Sequence, residues 1–179
     1  SFPVDRNKYL SSSHCIVEDA NGFFWITTNK GLFQIAKADL LAYADGKIER
    51  LYYHYYDKNN GFNTNEFNGG CQPCAVTLDN GYISLPSLNG LVWFHPDSIR
   101  VILPEGNIFV DKIGLDGEWL PVASRLNLPR HFGQLVFNIS APYQANAENM
   151  HISYALVKEG QQPQWLPLPE KGMILLSAL

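Results

Sequence analysis

The chain has 179 residues, of which 46% are hydrophobic and 17% charged, and its formal net charge is -4. This composition is too apolar for an intrinsically disordered chain, and the slightly acidic balance argues against nucleic acid or an anionic membrane surface as a partner. The sequence has no run of eighteen apolar residues that could span a bilayer, and its three cysteines are too few for a disulfide scaffold. Because the N-terminus SFPVDRNKYL lacks an initiator Met and an apolar signal core, we expect a piece of a longer protein.

Short strands with alternating apolar residues dominate the first half of the chain. Asn-Gly and Lys-Gly pairs separate the first three of them and favour tight turns, since both Asn and Gly tolerate positive φ. KADLLAYADGK predicts one short helix that ends near Gly46, and the Asn- and Gly-rich KNNGFNTNEFNGG predicts a loop. The predicted strands are HCIVED, FFWITT, GLFQIA, RLYYHYYD, QPCAVTL, GYISL and GLVWFH.

The alternating strand pattern is interrupted at Pro104, Glu105 and Gly106, which predict a linker before the second half of the chain. We therefore place a domain boundary between residues 1–103 and 104–179. Asp116-Gly117 lies between two alternating runs and predicts a hairpin, and several prolines, among them Pro142, lie near the ends of later runs. Further strands are predicted in GQLVFNISAP, MHISYALV and QWLPLP. The chain is thus predicted to be all-β, in two parts.

An internal repeat relates two stretches of the first half. Asn21-Gly22 corresponds to Asn80-Gly81, and Gly31-Leu32 corresponds to Gly90-Leu91, always 59 residues later. A repeat of about four short strands is typical of β-propeller blades, which must stack because a single blade cannot bury both faces. Trp25 is predicted to fill the space between neighbouring blades, although Ser84 takes its place in the second copy.

The first repeat resembles the two-component-regulator propeller repeat, with its pattern D-x-x-G-x-x-W-[IV]-x-T-x-x-G-[LI]. Asp19, Gly22, Trp25 and Gly31 match that pattern, together with Ile26, Thr28 and Leu32. The stretch that begins at Asn65-Glu66-Phe67 resembles the last blade of such propellers, with matches at Gly81, Asn89, Gly90, Phe94 and Pro96.

The stretch LVFNISAPYQANAENMHISYALVKEGQQPQW resembles the Y_Y_Y domain, an immunoglobulin-like sandwich that follows these propellers. The matching residues are Ala141, Pro142, Asn146, Glu148, Asn149, Tyr154, Leu156 and Trp165. The resemblance implies about two propeller blades followed by a truncated sandwich, because the last strand of that pattern is absent.

The resemblance also implies a function: a periplasmic sensor region of a membrane-anchored hybrid histidine kinase. Such a region binds a small-molecule or oligosaccharide signal and relays it to the cytoplasmic kinase. The alternative is a non-catalytic propeller or sandwich module of a secreted carbohydrate-active enzyme. We expect no catalytic activity from the chain itself and no cofactor. We also expect self-association into a dimer through exposed blade faces and open strand edges, around FFWITT and MILLSAL.

The Cys71-x-x-Cys74 pair is open to three interpretations: a redox dithiol, half of a zinc site, or two structural cysteines. A zinc site needs two more ligands at suitable spacing, and a thioredoxin-type dithiol needs a helix start in a βαβ unit. Neither context is present, so we predict two structural cysteines that bind no metal.

The loop from Asn59 to Gly70 offers many amide groups to a polar ligand, although a turn-rich connection explains it as well. Its ligand-binding candidates are Asn63, Asn65, Glu66 and Asn68. The aromatic run YYHYY allows stacking on sugar rings, but alternating aromatic residues on a strand more often form core contacts.

Overall fold

The computed structural model describes residues 5, 8–169 and 171–177. These residues are mostly β, arranged in several antiparallel sheets of which none is closed. The chain divides into two compact units, Ser1–Ile102 and Leu103–Leu179. Among the described residues, no helix is both long and apolar enough to cross a membrane.

The first sheet of unit 1 contains four strands in the order β1-β2-β3-β4. They are β1 (Ser13–Glu18), β2 (Phe23–Thr28), β3 (Leu32–Ala36) and β4 (His54–Tyr56). The helix predicted in this region is α1 (Lys37–Ala44), between β3 and β4. The aromatic segment RLYYHYYD contributes a strand of only three residues. Tyr53, just before it, packs edge-on against Phe33 at 5.0 Å between ring centroids.

The second sheet of unit 1 contains three strands in the order β5-β6-β7. They are β5 (Val76–Thr77), β6 (Ile83–Ser87) and β7 (Gly90–Phe94). Phe67 adds an isolated antiparallel bridge to Ser87. Short 3₁₀ turns at Leu10–Ser12, Lys58–Asn60 and Pro96–Ser98 connect these elements.

The strands of the two sheets pair in the same register, and equivalent pairs are 59 residues apart in sequence. Val17 lies opposite Trp25 in the first sheet, and Val76 lies opposite Ser84 in the second. The later hairpins correspond in the same way: the pairs Trp25–Gln34, Ile26–Phe33 and Thr27–Leu32 recur as Ser84–Trp93, Leu85–Val92 and Pro86–Leu91. The internal repeat predicted from the sequence is therefore a structural repeat.

A hydrophobic core joins the two sheets of unit 1. Its buried members are Trp25, Leu32, Phe67, Ile83 and Leu85. A second cluster covers the other face of the first sheet and includes Leu40 of α1; its remaining buried members are Ile26, Phe33, Ile35 and Tyr55. Both faces of the first sheet are thus covered within the chain, and β2 is paired on both edges. The FFWITT strand is therefore internal to its sheet, and the self-association expected around it stays a prediction.

Unit 2 contains a four-stranded sheet and a separate two-stranded ribbon. The sheet has the order β13-β10-β8-β9, with β8 (Phe109–Leu115), β9 (Glu118–Leu120), β10 (Gln134–Ser140) and β13 (Met173–Ser177). The ribbon pairs β11 (Ser153–Tyr154) with β12 (Leu166–Pro167), and a 3₁₀ turn spans Ala147–Asn149. Asp116 and Gly117 form the predicted hairpin turn, with φ of 49° and 92°.

The C-terminal segment MILLS is paired within the chain. β13 lies antiparallel to β10 from Met173 opposite Asn138 to Ser177 opposite Gln134. Its alternation directs Ile174, which is buried, toward the same face as Ile113 and Leu135. One edge of the segment that we expected to be open is therefore closed by β10.

Candidate binding cleft

The first motif residues of unit 1 form a hydrogen-bonded turn around Asp19. The buried Asp19 carboxylate accepts hydrogen bonds from the backbone N–H groups of Asn21 and Phe23, each at 2.9 Å. Its second oxygen accepts the indole N–H of Trp25 at 2.8 Å. The carboxylate fixes the turn that contains Gly22 and also orients Trp25, which is 1% exposed and packs against Phe94 with the ring centroids 4.6 Å apart and the rings tilted by 57°. These residues are structural.

The second motif, Thr28 to Gly31, closes the β2–β3 hairpin. The Thr28 hydroxyl donates to the carbonyl of Gly31 at 3.0 Å and accepts the backbone N–H of Lys30 at 2.9 Å. Gly31 has a φ of 148°, and a Cβ there would lie 2.6 Å from both the Tyr55 ring and the Tyr56 carbonyl oxygen. This close approach of β4 requires glycine.

The two turns of the second sheet resemble those of the first. In the β6–β7 turn the Ser87 hydroxyl donates to the Gly90 carbonyl at 3.0 Å, as Thr28 does to Gly31. In the β5–β6 turn Gly81 has a φ of 83°, close to the 81° of Gly22. The space around Gly90 differs from that around Gly31, because a Cβ on Gly90 would meet nothing within 4 Å.

A cleft of about 460 Å³ lies within unit 1 between the first sheet, the loop after Asn60, and strand β7. The buried Trp25 lies at its wall together with the half-buried Tyr56 and Phe62. Four exposed polar side chains also line it, Asn60, Asn63, Ser98 and Arg100. The lining combines aromatic surface with amide groups and one cation, which is a common composition of small-ligand sites.

Of the four predicted ligand-binding residues, only Asn63 lines this cleft. Asn65 uses its side-chain oxygen to accept the backbone N–H of Lys58 at 2.8 Å. Asn68 donates its side-chain amide to the carbonyl of Ser87 at 3.2 Å. These two amides therefore hold the loop.

Glu66 lies outside the cleft lining and is exposed. Its backbone carbonyl accepts the N–H of Leu88 at 3.1 Å, which ties the loop to the β6–β7 turn. Sequence reasoning missed Arg100 and Asn60, because only the fold brings them to one cleft.

The cysteines do not behave as a Cys-x-x-Cys pair. Cys74 forms a disulfide with Cys15, with a Cα–Cα distance of 6.0 Å, and Cys71 is free. The sequence predicted two structural cysteines, Cys71 and Cys74; Cys74 is bonded to Cys15, a partner that the prediction did not name, and Cys71 is a free thiol. Cys15 and Cys74 are 59 residues apart, so they occupy equivalent positions of the two repeats, and this spacing is the signal that could have identified the pair. Among the described residues, no cluster of His, Cys, Asp or Glu could hold a metal.

The residues that match the sandwich pattern lie in and around the ribbon of unit 2. Tyr154 is half-buried in β11, Pro142 is exposed just after β10, and Trp165 is 64% exposed beside β12. Asn146 accepts the backbone N–H of Glu148 at 3.0 Å and caps the 3₁₀ turn.

No family model and no curated protein matches this sequence. Among solved structures, the chain is similar to the extracellular domain of the hybrid two-component system BT3049 from B. thetaiotaomicron. The identity is 19%, the TM-score is 0.52, and the match covers 92% of this chain and 22% of that one. It shows that the two chains share a fold.

Two structures of the extracellular domain of BT4673 from the same organism are also similar. One is described as part of a one-component system, at 15% identity and a TM-score of 0.31, and the other as part of a hybrid two-component system, at 14% and 0.30. They cover 94% and 93% of this chain, each over 21% of its own length. The chain thus spans about a fifth of the length of the structures that it resembles.

Proposed function

We propose that this chain is part of the extracytoplasmic, signal-sensing segment of a two-component regulatory system. It binds a small-molecule or oligosaccharide signal, and a membrane-anchored parent protein relays the signal to a cytoplasmic histidine kinase. The observation that carries the proposal is the fold shared with the extracellular domain of BT3049, over 92% of the chain. The chain has no catalytic role in this proposal.

The Cys15–Cys74 disulfide supports a location outside the cytoplasm, which for this class of protein is the periplasm. Disulfides form and persist in oxidising compartments, whereas cytosolic thiols are kept reduced. The bond also links equivalent positions of the two repeats.

The packing of the two sheets supports a partial β-propeller. The first sheet contributes Trp25 to the shared core, whereas the second contributes Ile83 and Leu85. In the second sheet the equivalent of Trp25 is Ser84, which lies on the face opposite to that of Ile83 and Leu85. The two sheets therefore contact each other through non-equivalent faces. A contact between non-equivalent faces can be repeated by further sheets, and it closes into a ring when the rotation between neighbouring sheets allows it.

For unit 2 we propose the immunoglobulin-like Y_Y_Y sandwich. The four-stranded antiparallel sheet and the β11–β12 ribbon supply strands on which a second layer can be built. Tyr154 and Trp165 match the sandwich pattern in and beside that ribbon.

The ligand site that the geometry supports best is the cleft wall at Asn63 and Arg100, since the side-chain oxygen of Asn60 already accepts the backbone N–H of Asp57 at 2.9 Å. Amide and guanidinium groups beside aromatic rings suit a polar ligand with an apolar face, such as a sugar. Binding should therefore be measured by calorimetry against a panel of defined oligosaccharides, with the intact extracytoplasmic region.

We expect one oligosaccharide class to bind and Asn63→Ala to weaken it at least tenfold, about 1.4 kcal/mol. Asn89→Ala is the matched control, because Asn89 is exposed in the β6–β7 turn and does not line the cleft. Equal binding by both variants would reject the site. Cleavage of the oligosaccharide during the titration would favour the carbohydrate-active enzyme instead.

A further inference from the structure

Arg100 brings an uncompensated positive charge to the cleft of unit 1. Of the described residues that line the cleft, it alone has a charged side chain. Its guanidinium group is exposed and forms no ion pair with the part of the chain that the structure describes. The ion pairs found there join Lys37 to Glu18, Lys47 to Asp45 and, when the ring is protonated, His95 to Asp97. Since a guanidinium group stays protonated in proteins, the cleft lacks a counterion for this charge.

Several other polar groups of the lining are already used within the chain. The Tyr56 hydroxyl donates to the side-chain oxygen of Gln34 at 2.8 Å, and the Ser98 hydroxyl donates to the carbonyl of His95 at 2.7 Å. The side-chain oxygen of Asn60 accepts a backbone N–H at 2.9 Å. These contacts remove two hydroxyl donors and one amide acceptor from the set that a ligand could use.

The side-chain groups that remain for a ligand are mostly donors. The Arg100 guanidinium has five N–H donors, and the amides of Asn60 and Asn63 have two each. The acceptors are the side-chain oxygen of Asn63 and the lone pairs of the Ser98 hydroxyl, and no described carboxylate lines the cleft. Each hydroxyl of a neutral sugar donates as well as accepts, so a cleft for a neutral sugar needs acceptors too. The excess of donors and the single cation favour a ligand that is rich in acceptors and negatively charged.

We propose that the cleft binds an acidic saccharide, in which a carboxylate or a sulfate ester accepts hydrogen bonds from the Arg100 guanidinium. This inference rests on the proposed function and names the ligand class of the same site. A guanidinium group presents parallel N–H groups that match the paired oxygens of either anion. The sugar ring that carries the anion packs on the aromatic wall at Tyr56 and Phe62, and Asn63 binds a ring hydroxyl.

The test uses matched pairs of charged and neutral oligosaccharides, titrated by calorimetry into the intact extracytoplasmic region. Trisaccharides of glucuronic and galacturonic acid are compared with their methyl esters, which keep the ring hydroxyls but lose the charge. Sulfated trisaccharides of glucose and galactose are compared with their unsulfated parents. We expect the charged member of one pair to bind about five- to tenfold more tightly than its neutral partner. The pair that shows this preference identifies the anion as a carboxylate or a sulfate ester.

Variants of Arg100 test whether this residue provides the preference. Arg100→Gln removes the charge but keeps an amide donor, and it should reduce the preference to less than about twofold. Arg100→Lys keeps the charge and should retain part of the preference. Arg50→Gln is the matched control, because Arg50 is exposed in the same unit and does not line the cleft; it should retain the full preference. The preference is a ratio measured on one variant, so a loss of folded protein cancels from it.

Three results would overturn the proposal. Equal affinity for charged and neutral members, with both weakened by Asn63→Ala, would exclude an acidic ligand and leave the proposed function intact. A preference that persists in Arg100→Gln would place the anion elsewhere in the protein. Binding by none of the oligosaccharides, charged or neutral, would contradict both this inference and the binding of a saccharide signal on which it rests.

Discussion

Asp19 connects a turn to the core, because its carboxylate accepts hydrogen bonds from two backbone N–H groups of the turn and from the indole N–H of Trp25. Asp19→Asn keeps an oxygen for the backbone but directs an amide NH₂ toward the indole N–H. We expect it to lower the free energy of unfolding by about 1–3 kcal/mol, since a buried donor loses its acceptor. The exposed Asp79→Asn is the control and should be neutral in the same urea titrations. Equal stability of the two variants would show that the indole bond contributes nothing.

Gly31 and Gly90 provide a matched pair of substitutions. Both have positive φ, 148° and 111°, so alanine is strained at either position. Only at Gly31 would the new Cβ also collide with β4. We expect Gly31→Ala to be more destabilising than Gly90→Ala by about 1–3 kcal/mol, the usual cost of overpacking. A thermal unfolding comparison measures this difference, and equal losses would contradict the close approach of β4.

At the scale of the elements, the contact between the two sheets depends on Trp25. Trp25 is 1% exposed and contacts both Tyr56 and Phe94. Trp25→Ala should cost about 3–5 kcal/mol, as large-to-small core substitutions do. Trp93→Ala removes an equally large ring that is 65% exposed, and it should change stability by less than about 1 kcal/mol. Denaturant titrations of the two variants test this, and an unchanged midpoint for Trp25→Ala would place its ring outside the core.

The disulfide joins β1 to the segment that enters β5. Removing it with Cys15→Ser and Cys74→Ser should cost about 2–5 kcal/mol, mainly because the unfolded chain regains its freedom across 59 residues. Cys71→Ser should be close to neutral, since Cys71 is free. Alkylation under native and denaturing conditions should count one reactive thiol per chain. Three reactive thiols in protein purified without reductant would contradict the bond.

At the scale of the whole molecule, the exposed face of the second sheet leads to a prediction about association. Leu91 and Trp93 are mostly exposed there, on the face that corresponds to the core face of the first sheet. Large apolar patches recruit partner surfaces, so we expect the isolated chain to self-associate at high concentration. Trp93→Lys should shift it toward monomer in sedimentation experiments, whereas Trp165→Lys in unit 2 should not. A monomer at every concentration would contradict this prediction.

The sequence by itself determined what depends on neighbours along the chain. The Asn-Gly and Asp-Gly turns between alternating apolar runs predicted hairpins, the segment KADLLAYADGK predicted α1, and the 59-residue offset predicted the repeat. These features could be predicted because they depend on residues close to one another in sequence. The tertiary structure decided which groups are available for function. It joined Cys74 to Cys15 and not to Cys71, committed Asn65 and Asn68 to the loop, and brought Asn63 to the cleft beside Arg100. Within the described part of the chain it also left the outer edge of β7 unpaired, since strand pairing and side-chain partners depend on residues distant in sequence, which local patterns do not encode.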